Sequence, residues 1–360
     1  MFFAIETLVA CLVLASGLPH LAMVCQVGGT PRLDLDSVFA NLENRARKVR
    51  TGKFAMLEEI TIPKGALGLQ APPWVHRKTT GLLPPEDMIN KSKVSVSFSD
   101  DSLRYGYDGP TWTYEAEQFV DQSYLSTFNG ESAKSFYAKA YGEFPLGFVH
   151  KNKKSHMDAD SLFIQPILRH FRGLHPSMGR FVRSKCVVPV QSIQMGGRRA
   201  LVLEHIMSRS KETFWLDLER DFLILRSQRD YASGAAFEQI DISYILDKAN
   251  GWVPSEWTGM SMYSFDNGKS LTLTKAFSTK VVSYELNTAL PRNEFDLSFG
   301  LGTFVEDEIL GHGYILRSNG EKRMVTPKER ARRAKYEDLL NSESGMAGMP
   351  RVNDWPAKRI

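Results

Sequence analysis

Cysteine is scarce in this chain of 360 residues. Cys11 and Cys25 lie near the N-terminus, and Cys186 is the one remaining cysteine of the sequence. A lone thiol cannot form an internal disulfide, so we expect a hydrophobic core to hold the fold together. Cys186 begins the apolar sequence CVVPV, which is typical of a buried and unreactive thiol.

The sequence also lacks the motifs of common enzyme classes. No GxSxG, P-loop, HExxH or GxGxxG motif follows a suitable strand pattern. Histidines and aspartates are frequent in residues 150–175, but their spacing matches no zinc template, and Lys151 and Lys153 would repel a cation. We therefore predict a protein that is not an enzyme, with no catalytic residue, no metal site and no cofactor.

An uninterrupted hydrophobic run of about 20 residues, as a membrane-spanning helix requires, is absent. The apolar segment 8–24 is interrupted by Gly17 and Pro19, which suits the core of a signal peptide, although no lysine or arginine precedes it. We predict a signal peptide over residues 1–29 and export to the periplasm or cell envelope. A retained N-terminal membrane anchor and lipidation at Cys25 are the alternatives.

Most of the chain has no excess of either charge. The net charge is +4, but the residues from Arg317 onward contain eleven Lys or Arg and six Asp or Glu. We therefore predict no nucleic-acid partner. Thr326 and Glu329 form a capping-box pattern that predicts a basic helix at 326–340. Residues 309–360 are interpreted as a helical extension with a disordered tail, which is either solvated or contacts an envelope partner.

Short segments of alternating apolar and polar residues are what the sequence has in abundance. KVSVSF, SLRYGY and TWTYEA each place their large apolar residues on one face, and the sequences SDD and DGP separate them as turns. Asn129-Gly130 and the sequence MGGRR indicate further hairpins. The pattern continues to a last strand at 295–299. It predicts a mainly β (α+β) fold, with a large curved antiparallel sheet or half-open β-barrel of about 11–12 strands.

Two helices complete the predicted fold. Residues 35–50 form an N-terminal helix by their apolar spacing, and residues 160–173 form a central helix that Pro166 kinks or shortens. In the sequence FWLDLERDFLILR, Phe214 and Trp215 point to opposite faces, so both faces of this hairpin are apolar. Such strands are covered by a helix or line a cavity, and the central helix is the candidate lid or plug.

Several of these segments resemble a known family. FWLDLERDFLILR, GWVPSEW, VVSYELN and EFDLSFGLGTFVED, together with YGYDG and FNGESAKSFY, resemble the LolA-type superfamily of outer-membrane lipoprotein carriers, in its diverged secreted bacterial form. The resemblance covers residues 35–308. It implies a half-open antiparallel β-barrel of about eleven strands, closed by helices around a hydrophobic cavity that receives lipid chains.

Two functional hypotheses follow. The first is a non-catalytic envelope protein that binds a lipid or an acylated protein in an apolar cavity. The second is a structural or signalling module of the cell envelope, with a filled core, that acts through its outer face and its basic C-terminal helix. Large aromatic residues on the presumed inner face are the candidate cavity wall: Trp112, Tyr114, Phe128, Trp215 and Trp252.

Overall fold

The computed structural model describes the chain from residue 35 to residue 341, except for residues 71–82, 114–117, 141–143, 152–163, 175–180, 233, 235, 265–269, 292, 318, 327 and 330–335. The predicted signal peptide and the predicted disordered tail lie outside the described residues. Within the described part, no helix is long and apolar enough to cross a bilayer.

The described strands form a single curved sheet. Its strands are β1 (Thr51–Ile62), β2 (Met88–Ser99), β3 (Ser102–Thr113), β4 (Gln118–Phe128), β5 (Ala133–Ala140), β6 (Phe144–His150), β7 (Cys186–Met195), β8 (Arg198–Ile206), β9 (Ser210–Asp217), β10 (Leu223–Tyr231), β11 (Ala236–Asp247), β12 (Gly251–Tyr263), β13 (Thr272–Leu286), β14 (Phe304–Asp307), β15 (His312–Leu316) and β16 (Lys322–Met324). The predicted mainly β fold with a large antiparallel sheet is confirmed. The sheet has 16 strands in the described residues, more than the predicted number.

The order of the strands follows from two meanders that meet at β1. Strands β2 to β6 follow one another on one side of β1, and β13 pairs with its other side. The chain then reaches β7 at the far edge and returns strand by strand to β13. Antiparallel neighbours joined by short turns explain both meanders. Asn129-Gly130 connects β4 to β5, and Gly196-Gly197 connects β7 to β8, as predicted; all three glycines have positive φ.

Four α-helices have described bounds: α1 (Leu35–Lys48), α2 (Ala66–Gln70), α3 (Gln165–Arg172) and α4 (Tyr336–Asn341); a 3₁₀ helix covers Arg183–Lys185. The N-terminal helix α1 and the central helix α3 are confirmed, and Pro166 lies in the first turn of α3, where a missing N–H has no cost. Helices α1 and α3 pack against each other on one face of the sheet. We call this face the inner face and the opposite one the outer face.

The predicted turn at residues 108–110 is wrong. Strand β3 runs through Gly109 and Pro110, which are paired with Gln122 and Asp121 of β4. The ladder between β2 and β3 ends at Asp108, so Pro110 has no pairing partner in β2 that would need its missing N–H.

Strand β6 was not predicted from the sequence. Pro145 and Gly147 obscure the alternation of β6 in the sequence. Gly147 is required by packing, because a Cβ at this position would stand 2.7 Å from the ring of Phe299. The apolar alternation that predicts a strand at 295–299 therefore has another cause: this segment packs on the sheet as an extended connection and forms no strand.

Residues 287–303 cross the outer face of the first meander. Ser97 Oγ donates a hydrogen bond to Glu294, and Lys134 Nζ donates one to the carbonyl oxygen of Leu297. The crossing brings β14 alongside β6 in a parallel pair, which a direct hairpin could not form. Strands β15 and β16 extend the same sheet, so it continues past residue 308, the predicted end of the main domain.

The capping box at the C-terminal helix is confirmed. The backbone N–H of Thr326 donates to the Glu329 carboxylate at 2.7 Å, and the backbone N–H of Glu329 donates to Thr326 Oγ1 at 3.3 Å. Downstream, the Tyr336 ring of α4 stacks on Phe144 with the ring centres 4.9 Å apart. The C-terminal region therefore packs on β6 through its aromatic side chains.

Candidate functional site

Helix α3 fills one part of the inner face. All eight of its residues are buried. The Phe171 ring lies 6.0 Å from the ring of Phe54 and 5.8 Å from the ring of Phe98. Since Phe54 and Phe98 belong to β1 and β2, α3 covers the centre of the sheet and closes it to solvent.

Arg172 and His170 attach α3 to its surroundings by hydrogen bonds. Arg172 donates to the carbonyl oxygen of Val49 at 2.8 Å and also to that of Arg50, and so satisfies the C-terminal end of α1. His170 Nε2 lies 2.7 Å from the carbonyl oxygen of Trp252. That contact makes Nε2 the donor, and a helix with such contacts is part of the folded core.

His170 is held in its neutral form. Its Nδ1 lies 3.2 Å from the guanidinium of Arg45, which can only donate, so Nδ1 is the acceptor. Burial, and next the charge of Arg45, lower the pKa of His170 well below 6.5. A proton on Nδ1 would face a buried cation, which opposes protonation at neutral pH.

A buried carboxylate joins α3 to the sheet. Glu212 of β9 is 1% exposed and accepts hydrogen bonds from Arg169 of α3 at 2.8 Å and from Arg229 of β10 at 2.5 Å. Burial alone would raise the pKa of Glu212, but Arg169, His205 and Arg229 together hold it well below its usual range. The carboxylate is therefore ionised and compensated by two cations, as a buried charge must be.

Polar residues continue from Glu212 along the inner face. Successive strands place them directly opposite one another, so that they form a row across the sheet: His205, Glu212, Arg229, Glu238, Ser261 and Lys275. Arg229 also donates to Glu238 at 3.3 Å. Most of the charges in the row alternate in sign, which stabilises neighbouring strands.

A cavity of about 240 Å³ lies at the Lys275 end of this row. Ile62, Leu67 and Met262 give it an apolar wall, whereas Glu238 and Lys275 give it a polar one. Burial lowers the pKa of the Lys275 ammonium group. A second space of about 10 Å³ beside Arg169 and Glu212 is at the lower limit for one water molecule.

The predicted wall residues fall in different places. Trp112 packs against Leu83, and so does Leu67, which lines the cavity. Phe128 is 4% exposed and belongs to the core. Trp252 lies under the guanidinium of Arg220 at 4.9 Å.

Trp215 and Tyr114 are not placed at the cavity. Trp215 lies on the outer face, opposite to Phe214, with the Arg226 guanidinium 5.9 Å from its ring. The presumption that Trp215 faces inward is wrong, because alternation puts Phe214 towards α3. Tyr114 lies outside the described residues, and the assignment of a ligand to Trp112, Phe128 and Trp252 stays a prediction.

The polar residues of the inner face were missed by the sequence reasoning. In KETFWLD, Glu212 alternates with Phe214 and Leu216, and in FAMLEE, Glu58 alternates with Phe54 and Met56. A charged residue in register with an apolar stripe is the signal that could have identified both. A strand pattern interrupted in this way indicates a buried carboxyl group.

The thiol and the histidines of the sequence analysis have structural positions. Cys186 is buried as predicted, and burial raises its pKa to about 11. His150 and His170 are buried, whereas His156 and His175 lie outside the described residues. Among the described residues no group of three or more His, Cys, Asp or Glu could hold a metal ion.

Comparison with known proteins gives a limited result. No family model and no curated protein matches the chain. A solved domain from Vibrio parahaemolyticus, assigned to outer-membrane lipoprotein sorting, is 11% identical with a TM-score of 0.41, over 73% of this chain and 97% of that one. PNGF-II is 7% identical with a TM-score of 0.23, over 72% of this chain and 31% of its own length. An acetoacetate decarboxylase-like enzyme from Sphingomonas wittichii RW1 is 8% identical with a TM-score of 0.13, over 67% of this chain and 93% of that one.

Proposed function

We propose that this chain is a non-catalytic binding protein of the cell envelope that takes an amphiphilic ligand, a lipid or the acyl group of a lipidated protein, on its inner face. The observation that carries the proposal is the cavity of about 240 Å³ between α2 and the strands β10 to β13. The cavity is slightly below the range of about 300–1,000 Å³ for sites that enclose a drug-sized ligand. The cavity therefore suits part of an acyl chain, and the rest of the acyl chain would extend along the sheet.

The walls of the cavity match an amphiphile. Ile62, Leu67 and Met262 supply apolar surface for a hydrocarbon segment. Leu67 also packs against Leu83, as Trp112 does, and the apolar surface continues there. Lys275 and Glu238 also line the cavity, and a polar group of the ligand would be compensated beside them.

Helix α2 is the element that would move to enlarge the cavity. It has five residues, Ala66–Gln70, and Leu67 is only partly buried. Helix α3, in contrast, has every residue buried and is attached by Arg169, His170 and Arg172. An acyl chain longer than the cavity would therefore displace α2 at a lower free-energy cost than α3.

The second candidate function is an envelope module with a filled core. The burial of all of α3 favours it, because the centre of the inner face is closed. Such a protein would act through its outer face and its C-terminal helix, with an envelope partner that contacts the basic residues. In both cases we expect export, as the apolar N-terminal segment indicates.

Ligand uptake separates the two functions. The full chain would be titrated with dodecanoate, palmitate and a palmitoylated peptide, and the complexes would be counted by native mass spectrometry. We expect saturable binding with one ligand per chain. Met262→Trp would fill the cavity and weaken binding by about tenfold or more.

Met260→Trp is the matched control. Met260 lies two residues away on β12 and does not line the cavity. The same substitution there should leave the affinity unchanged. If the wild-type chain binds none of the three probes, or if both variants bind equally well, the amphiphile-binding function is wrong and the filled-core module remains.

A further inference from the structure

Three buried polar side chains lie side by side on the inner face, outside the charged row. Glu58 of β1 is directly opposite Thr279 of β13, and Thr279 is directly opposite Trp257 of β12. Their exposed fractions are 2%, 1% and 1%. Directly opposite residues have Cβ atoms about 4.5–5.5 Å apart, so Thr279 has both Glu58 and Trp257 as immediate neighbours.

Each of the three has a polar atom that the described residues do not satisfy. One carboxyl oxygen of Glu58 accepts from Ser92 Oγ at 2.8 Å, but Oε1 has no hydrogen-bond partner in the described part of the chain. The same holds for Thr279 Oγ1 and for Trp257 Nε1. Buried polar groups in folded proteins are nearly always hydrogen-bonded, so three adjacent exceptions indicate a place for a polar group that the described residues do not provide.

The chemistry of the three atoms restricts that group. Trp257 offers an N–H, Thr279 offers a hydroxyl, and Glu58 offers a carboxyl oxygen. The group that satisfies them must accept a hydrogen bond and also be able to donate one. It should carry no permanent charge, because a charged head would lose its hydration at a place where fewer than three per cent of each side chain is exposed.

The inward-facing residue of β13 between this group and the cavity is apolar. Thr279 and Lys275 lie on the same face of β13, four residues or about 13 Å apart, and Lys275 lines the cavity. Phe277 lies between them, and its ring occupies the space above Gly259, where a Cβ would be only 2.4 Å from the ring. An extended chain of medium length would span this distance against the Phe277 ring.

We propose that Glu58, Thr279 and Trp257 bind the uncharged hydroxyl or amide head of an amphiphile whose chain lies in the cavity. This inference rests on the proposed function and names the ligand class, which is a neutral head on a medium-length chain. Burial raises the pKa of Glu58 to about 7, which supports a carboxyl group that is protonated in part of the population at neutral pH and can then donate to the ligand.

The test compares dodecyl compounds that differ only in the head: 1-dodecanol, dodecanamide, dodecanoate and dodecylammonium. Their dissociation constants would be measured for the full chain by displacement of a fluorescent fatty acid. We expect 1-dodecanol and dodecanamide to bind at least tenfold more tightly than dodecylammonium. Thr279→Val keeps the shape of the side chain and should weaken 1-dodecanol binding by about five- to tenfold, since one hydrogen bond is lost.

Thr258→Val is the matched control, since Thr258 is exposed on the outer face of β12 next to Trp257. It should leave all four constants unchanged. Trp257→Phe is a second variant. It removes the N–H donor together with the five-membered ring of the indole. Urea unfolding would confirm that each variant is folded before its binding is compared.

The outcomes are distinguishable. If the wild-type chain binds amphiphiles but shows no preference for neutral heads, and Thr279→Val and Trp257→Phe bind 1-dodecanol as the wild type does, the three residues hold an internal water only and the inference is wrong. The proposed function would stand in that case. If the wild-type chain binds none of the dodecyl compounds, the proposed function and this inference both fail.

Discussion

The inner face of the sheet has two regions that differ in packing. The filled region lies under α3, where Phe54, Phe98 and Phe171 pack together and Glu212 compensates two buried cations. The open region lies beside β10 to β13 and contains the cavity of about 240 Å³. The difference shows that one curved sheet can close its centre with a short helix and leave a cavity at the side that this helix does not reach.

The largest effect is expected when the carboxylate charge that attaches α3 to the sheet is removed. Glu212→Gln leaves Arg169 and Arg229 buried without their carboxylate, and we expect the free energy of unfolding to fall by about 3–5 kcal/mol. Urea denaturation measures this loss. The control Glu43→Gln breaks an exposed pair with Arg47 and should cost less than about 0.5 kcal/mol. Equal effects of the two variants would contradict the assignment of Glu212 as the anchor of α3.

The second prediction converts the filled region into an open one. Phe171→Ala removes a ring that is 1% exposed, and we expect a loss of about 3–5 kcal/mol in the free energy of unfolding. The space left under α3 should also take up a small apolar probe such as benzene, as apolar cavities do. Leu246→Ala, at a position that is 62% exposed, should be nearly neutral. A stable Phe171→Ala protein with no probe uptake would show that the two regions do not differ as described.

The third prediction concerns the pH dependence of stability that Glu58 causes, at the border between the two regions. The pKa of Glu58 is raised from 4.5 to about 7 by burial, so the folded state holds this proton more strongly than the unfolded state. The contribution of Glu58 to stability is complete below about pH 4.5 and is lost as the pH rises through 7, in total about 3 kcal/mol.

Glu58→Gln removes this dependence. Relative to the wild type, the variant should gain about 3 kcal/mol between pH 4.5 and pH 7, which urea denaturation at several pH values would measure. Glu59→Gln alters the next residue along β1, whose side chain is exposed and paired with Lys91. The free energy of unfolding of that control should depend on pH as it does in the wild type. If Glu58→Gln also showed the wild-type pH dependence, the raised pKa of Glu58 would be contradicted.

The smallest expected effect is the pH dependence of stability that His170 causes in the filled region. Its sign is opposite to that of Glu58. Because the pKa of His170 is lowered well below 6.5, its contribution to stability is complete above pH 6.5 and is lost as the pH falls below that value. The loss is about 1.4 kcal/mol per pH unit until the pKa of the folded state is reached. In His170→Gln, an amide can still accept from Arg45 and donate to the Trp252 carbonyl, so we expect the slope below pH 6.5 to disappear. If the slope of the free energy of unfolding against pH were unchanged, groups other than His170 would cause the loss of stability in acid.

The sequence analysis was reliable where a local pattern is also a local structure. Alternating residues in KVSVSF and FWLD define β2 and β9, and the capping box of Thr326 and Glu329 forms as expected. It was unreliable where a distant segment changes the meaning of a residue. Gly147 obscured a strand because Phe299, more than a hundred residues later, needs the space of its missing side chain.

The candidate site shows the same division. Large aromatic residues were selected for the inner face by size, but Trp215 lies on the outer face and Phe128 lies in the core. Glu58 and Glu212 were passed over, although each alternates with phenylalanine on its strand. Alternation assigns residues to the same face, but it does not say which face receives the helix.

By itself, the sequence determined the class of the fold, the hairpin turns at Asn129-Gly130 and Gly196-Gly197 and the two helices at 35–48 and 165–172, since each depends on interactions between near neighbours. Only the tertiary structure decided that α3 fills the centre of the sheet, that residues 287–303 cross its outer face, and that Glu58, Thr279 and Trp257 meet. These residues are brought together by strand pairing over separations of up to 221 positions, and the partner of a strand is selected by packing across the whole sheet.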